Sequence, residues 1–99
     1  METYDDLIKS APTVFVEFFA TWCPHCAAMQ PVVDQLKELL AGSVPVYQLD
    51  IDKNSEAASD EGVDATPTFF IYRDGRQVWR HAGECDGNLL LQKIQHFAK

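Results

Sequence analysis

Trp22-Cys23-Pro24-His25-Cys26 places two thiols three positions apart, between an apolar run and an amphipathic one. In the first turn of a helix that spacing puts both on one face. It suits the short Cα separation a disulfide needs. The first cysteine would also meet the unpaired N–H groups and positive dipole end of the helix, which favour a thiolate. The chemistry that follows is thiol–disulfide exchange. Cys23 thiolate attacks a disulfide and forms a mixed disulfide; Cys26 then attacks Cys23 and releases the reduced product. Cys23 is expected to be the exposed nucleophile of low pKa. Cys26, one turn deeper, is expected to be the resolving thiol. The redox-active pair needs no cofactor.

Three further residues bear on this chemistry. A protonated His25 near Cys23 would favour the thiolate and make the pair more oxidising; otherwise it is a solvated residue of a first turn. Glu17 stands six residues before Cys23 in an apolar run, on the strand face of Phe15 and Phe19. Buried there, its carboxyl would have a raised pKa and could accept the Cys26 proton. At a sheet edge it would instead reach water. Pro67, in Ala65-Thr66-Pro67-Thr68, enters a predicted strand, where proline is tolerated.

The elements that must position these groups can be read from periodicity. Tyr4–Lys9 is a helical stub. Thr13–Phe19 is a nearly all-apolar, β-forming run that suits a strand buried on both faces. Proline at a first helical position predicts a helix from Cys23–Pro24 to Leu40, stopped at Gly42. Val32, Val33, Leu36, Leu39 and Leu40 form its apolar stripe, and Pro31 should kink it. Val44–Asp50 reads as a strand and Asn54–Glu61 as a short helix. Thr68–Tyr72 and Gln77–His81 flank Arg73-Asp74-Gly75-Arg76, a hairpin turn. Asp86 or Asn88 caps a last helix through Phe97, with Leu89, Leu90, Ile94 and Phe97 inward. The order predicts an α/β fold: a mixed sheet with helices on both faces.

Composition narrows the classes. Ninety-nine residues, 46% hydrophobic, are expected to form one domain over 1–99. A net charge of −7 argues against nucleic acid and anionic membranes as partners. Met1 and Glu2 begin no basic, apolar leader, so a cytoplasmic location is expected, although an exported protein without its leader would look the same. Three cysteines leave one unpaired in any disulfide framework.

The chain resembles the thioredoxin family over nearly its whole length. FVEFFATWCPHC looks like that family's strand, loop and active site; Pro31 falls where its helix kinks. LDID at Leu49–Asp52 and ATPTFFIYRDGRQV with Gly83 look like the following strand, cis-proline segment, hairpin and glycine. The resemblance implies that Thr66–Pro67 is cis and faces the cysteines. Trp22, Pro24, Thr66 and Gly83 would rim an apolar docking surface, with the Thr66 main chain pairing to an extended substrate. It implies disulfide-containing protein substrates, a thioredoxin-reductase-like electron donor, no membrane, and a monomer.

The departures are specific. Pro24-His25 replaces Gly-Pro and is the pair of periplasmic disulfide oxidases. Phe19 replaces a tryptophan, Glu17 an aspartate and Gln48 a lysine. The N-terminal segment reads as too short for the family's first strand, so four strands rather than five are expected. Cys85, two residues after Gly83, should lie near the rim, as a small core residue or as a third redox or regulatory thiol. His81 and His96 read as surface residues. The expected function is a protein-disulfide reductase of somewhat oxidising poise. A disulfide oxidase or isomerase is the alternative. A zinc module on Cys23, Cys26 and His25 or Cys85 is disfavoured, because no second C-x-x-C completes four ligands.

Overall fold

The computed structural model describes residues 3–99, so the leader reading at Met1 and Glu2 lies outside the described residues. In chain order the elements are α1 (Tyr4–Ile8), β1 (Thr13–Phe19), α2 (Pro24–Leu40), β2 (Val46–Asp50), α3 (Ser55–Asp60), β3 (Thr68–Arg73), β4 (Arg76–Ala82) and α4 (Gly87–Phe97). The sheet order is β2-β1-β3-β4. β1 runs parallel to β2 and antiparallel to β3, and β3 is antiparallel to β4. The sheet is therefore mixed and four-stranded, as expected.

β1 is central because it is apolar on both faces. Phe15 packs with Phe69 and Ile71 against Met29, Val33, Leu36 and Leu40 of α2 and Leu90 and Ile94 of α4. Val14, Val16 and Phe18 face the other way, onto α1 and α3 through Ile8 and Ala58. The alternation puts Glu17 on the Phe15 side, under α2.

Several boundaries differ from expectation for local reasons. β2 starts at Val46, since Pro45 has no N–H for a ladder; its carbonyl accepts from Phe15 instead. The hairpin turn is only Asp74-Gly75, both at positive φ (53° and 78°), which lets β3 and β4 run longer. Leu39 is 61% exposed and Leu89 38%. The buried α2 stripe runs instead through Met29, Val33, Leu36 and Leu40, four and three residues apart. Asp86 is the N-cap of α4 but makes no side-chain bond there, and Asn88 lies inside the helix.

Candidate active site

β1 and α2 meet at the cysteines. Cys23 is the N-cap of α2 and Pro24 its first residue. The Cys26 N–H donates to Cys23 Sγ at 3.3 Å, so a sulfur caps an otherwise unpaired donor. The Cys23 N–H donates to Ala20 O. Ala20, Cys23 and Cys26 form a small buried cluster, with Phe19 and Ile51 against it.

The two thiols differ electrically rather than in exposure. Each cysteine is only 6% exposed, so Cys23 is not the open thiol its position predicts. The Thr66-Pro67 segment covers it; the Cys23 thiol donates to Thr66 O at 3.4 Å. Burial opposes a thiolate at Cys23. Hydrogen bonds from Cys26, Thr66 and the backbone N–H groups of Cys26 and His25 outweigh it and lower its pKa. At Cys26 burial dominates, reinforced by its bond to Cys23, and the pKa rises to about 11. One sulfur is thus made more acidic while the other holds its proton more tightly.

The rest of the rim comes from the far side of the sheet. The Thr66–Pro67 bond is cis. The Gly83 N–H donates to Pro67 O at 2.7 Å, which ties the end of β4 to the proline. Gly83 has φ of 94°, and no atom lies within 4 Å of where a Cβ would sit, so open space fronts the backbone there. Trp22 is 66% exposed, its indole N–H fixed on Asp52 Oδ2 at 3.1 Å. Thr66 therefore touches Cys23 and Gly83 touches the adjoining Pro67, while Trp22 and Pro24 flank Cys23 in the chain.

His25 points elsewhere. Its Nδ1 lies 2.6 Å from Glu84 Oε2, across from the helix start to the β4–α4 loop. The bond to Glu84 and its charge raise the His25 pKa; Cys23 contributes least among the causes. The carboxylate thus favours the protonated imidazole, and what His25 gives Cys23 directly is its backbone N–H. Glu84→Gln should bring the His25 titration down toward the ordinary imidazole value of 6.5. Following the ring protons by NMR checks this, and an unmoved midpoint would show that the pair does not form in solution.

Glu17 is 1% exposed, in a central strand rather than at an edge. Burial raises its pKa, against a hydrogen bond from Gln48 and the charge of Lys37. Cys85 is half-buried against the α2–α4 core, not in the Cys23–Cys26 cluster. Burial, then Asp86, raises its thiol pKa. His96 is exposed; His81 is half-buried, with Nε2 3.0 Å from Glu84 O. Among the described residues, no three metal-binding side chains converge. Asp52, Glu84, Gln30 and Lys37 escaped the sequence reading. Gln30, Asp34 and Lys37 do share a helix face by spacing, but nothing local pairs that face with Gln48.

The fold thus sets two cysteines at a helix start beneath a cis-proline segment. The family model Thioredoxin matches residues 1–96. The chain is 36% identical over 93 residues to a thioredoxin of Synechocystis, covering 94% of this chain and 87% of that one. It is 34% identical over 94 residues to thioredoxin Y, chloroplastic, of rice (Oryza sativa), covering 94% of this chain but only 56% of that protein. The chain thus spans little more than half the length of such plant relatives. A solved point mutant of the thioredoxin from Halobacterium salinarum superposes with a TM-score of 0.87 at 33% identity, covering 96% of this chain and 82% of that one. The chain belongs to the thioredoxin family.

Proposed function

We propose that the protein is a protein-disulfide reductase that works through Cys23 and Cys26. The observation that carries this is the split between the two thiols, one made more acidic at a helix cap and one held as a thiol. Substrate docks on the rim of Trp22, Pro24, Thr66, Pro67 and Gly83, its backbone pairing with Thr66. Cys23 thiolate attacks one sulfur of the substrate disulfide, and the other leaves as a thiolate. Cys26 then passes its proton to the Glu17 carboxylate and attacks Cys23 Sγ. The Cys23–substrate bond breaks, a second substrate thiolate leaves, and the Cys23–Cys26 disulfide forms. Two electrons pass from the pair to the substrate. A thioredoxin-reductase-like donor restores the dithiol, with no other cofactor. A monomer in a reducing, cytoplasm-like compartment fits this direction.

The Pro24-His25 dipeptide and the raised His25 pKa favour a second reading, an oxidase or isomerase. Equilibration with glutathione separates the two. Thioredoxins themselves set the reducing reference at about −270 mV, whereas disulfide isomerases and oxidases lie at about −180 to −120 mV. A value near the first supports the reductase; one in the second range overturns it. Replacing Pro24-His25 by Gly-Pro should lower the potential by tens of millivolts, since about 30 mV is a tenfold change in this equilibrium. A rise would show that His25 does not favour the reduced form.

A further inference from the structure

Glu17 makes its one side-chain hydrogen bond to Gln48, whose Nε2 donates to Glu17 Oε1 at 2.8 Å. Gln48 is fully committed on its other sides as well. Its Nε2 also donates to Gln30 Oε1 at 2.9 Å, and its Oε1 accepts from Gln30 Nε2 at 3.3 Å and from Lys37 Nζ at 2.5 Å. An amide has two donor hydrogens and two acceptor sites, and all four are used. That fixes which way the amide faces. Turned over, it would set its oxygen against the Glu17 carboxyl and its NH₂ against an ammonium, two repulsive contacts in place of two attractive ones. The amide dipole therefore runs from the Lys37 charge to the Glu17 carboxyl, through a half-buried site where charge is screened less than at the surface.

We propose that Gln48, oriented by Gln30 and Lys37, is a positioning residue that couples the Lys37 ammonium to Glu17 and so tunes Glu17 as a proton acceptor. The inference rests on the acceptor role proposed for Glu17 above. Three elements pack around that carboxyl. β2 sets Gln48 directly opposite it, with Asp50 two residues on along the same face, and β3 faces it with Phe69. α2 brings Lys37 with the opposing Asp34, which accepts from Gln30 at 2.8 Å. Lys37 is the single cation of this network. Its removal should raise the Glu17 pKa, because the carboxylate loses its one attractive charge while remaining buried.

The test is Lys37→Met, with Lys37→Arg as the rescue. Lys37 is exposed, so neither change disturbs the core. Two quantities are followed against pH: the Glu17 carboxyl carbon resonance in the dithiol protein, and single-turnover release from a preformed mixed disulfide between Cys23 and a small aromatic thiol. Lys37→Met should move both midpoints to higher pH and slow release at neutral pH, and Lys37→Arg should restore both. A Glu17 resonance that titrates unchanged in Lys37→Met overturns the coupling. A resonance that moves while release does not supports the coupling and overturns instead the acceptor role of Glu17.

Discussion

Cys26→Ser should stop turnover after its first step and leave substrate covalently attached to Cys23. The attack needs only Cys23, whose thiolate is supported by the Cys26 N–H and the helix start, both of which survive the change. Release needs a second sulfur next to Cys23, and serine does not attack a disulfide. Mixed disulfide should accumulate toward one substrate per protein, and multiple-turnover reduction should fall by about 10³-fold or more, since a thiolate is the attacking species in exchange. Non-reducing electrophoresis and intact mass read the adduct directly. Cys23→Ser in the same assay should form none. If Cys23→Ser forms the adduct and Cys26→Ser does not, the roles of the two thiols are reversed. Cys85 lies in a separate cluster with a raised pKa, so Cys85→Ser should leave both results intact.

Glu17→Gln should pull stability and activity in opposite directions. Burial holds the folded carboxyl above its ordinary value of 4.5, while the unfolded chain titrates near that value. Between the two, the folded chain keeps a proton that the unfolded chain has released. Stability therefore falls as pH rises through this window. Glutamine cannot ionise, and Gln48 can still donate to the oxygen of the new amide. The variant should match the parent in acid and exceed it at neutral and mildly alkaline pH, as urea unfolding at several pH values will read. Release from the mixed disulfide should slow by about 10²-fold, the lower end for loss of a general base, while the attack step is unchanged. A variant no more stable than the parent above neutrality would mean that the carboxylate is not desolvated. An unchanged release rate would remove Glu17 from the proton transfer.

How much of this was legible varies by residue. Thr13–Phe19 was readable as a strand to the residue, because a both-faces-apolar run of β-formers has few other fates. The start of α2 was readable from Cys23 and Pro24, because capping and proline preference act within one turn. Leu39 was misassigned because an apolar residue on a long helix can fall just outside the stripe, and only the neighbouring α4 and sheet define where the stripe ends. The exposure of Cys23 was misjudged because its cover, Thr66-Pro67, lies 43 residues away in sequence. The partner of His25 was invisible for the same reason: Glu84 is 59 residues distant.

The sequence by itself determined the chemistry and its local frame. Two thiols three apart at a helix start, a central strand, a crossover helix and an Asp-Gly hairpin all follow from contacts within a few residues, where spacing and propensity dictate geometry. Only the tertiary structure decided that both sulfurs are buried, which carboxylate holds His25, and that Glu17 is buried beneath an amide anchored by Lys37. Those outcomes depend on desolvation and on charges brought together from β1, α2, β2 and the loops beside β3 and β4. Such groups are remote along the chain, and pKa shifts arise from what surrounds a group in space, not from its neighbours in sequence.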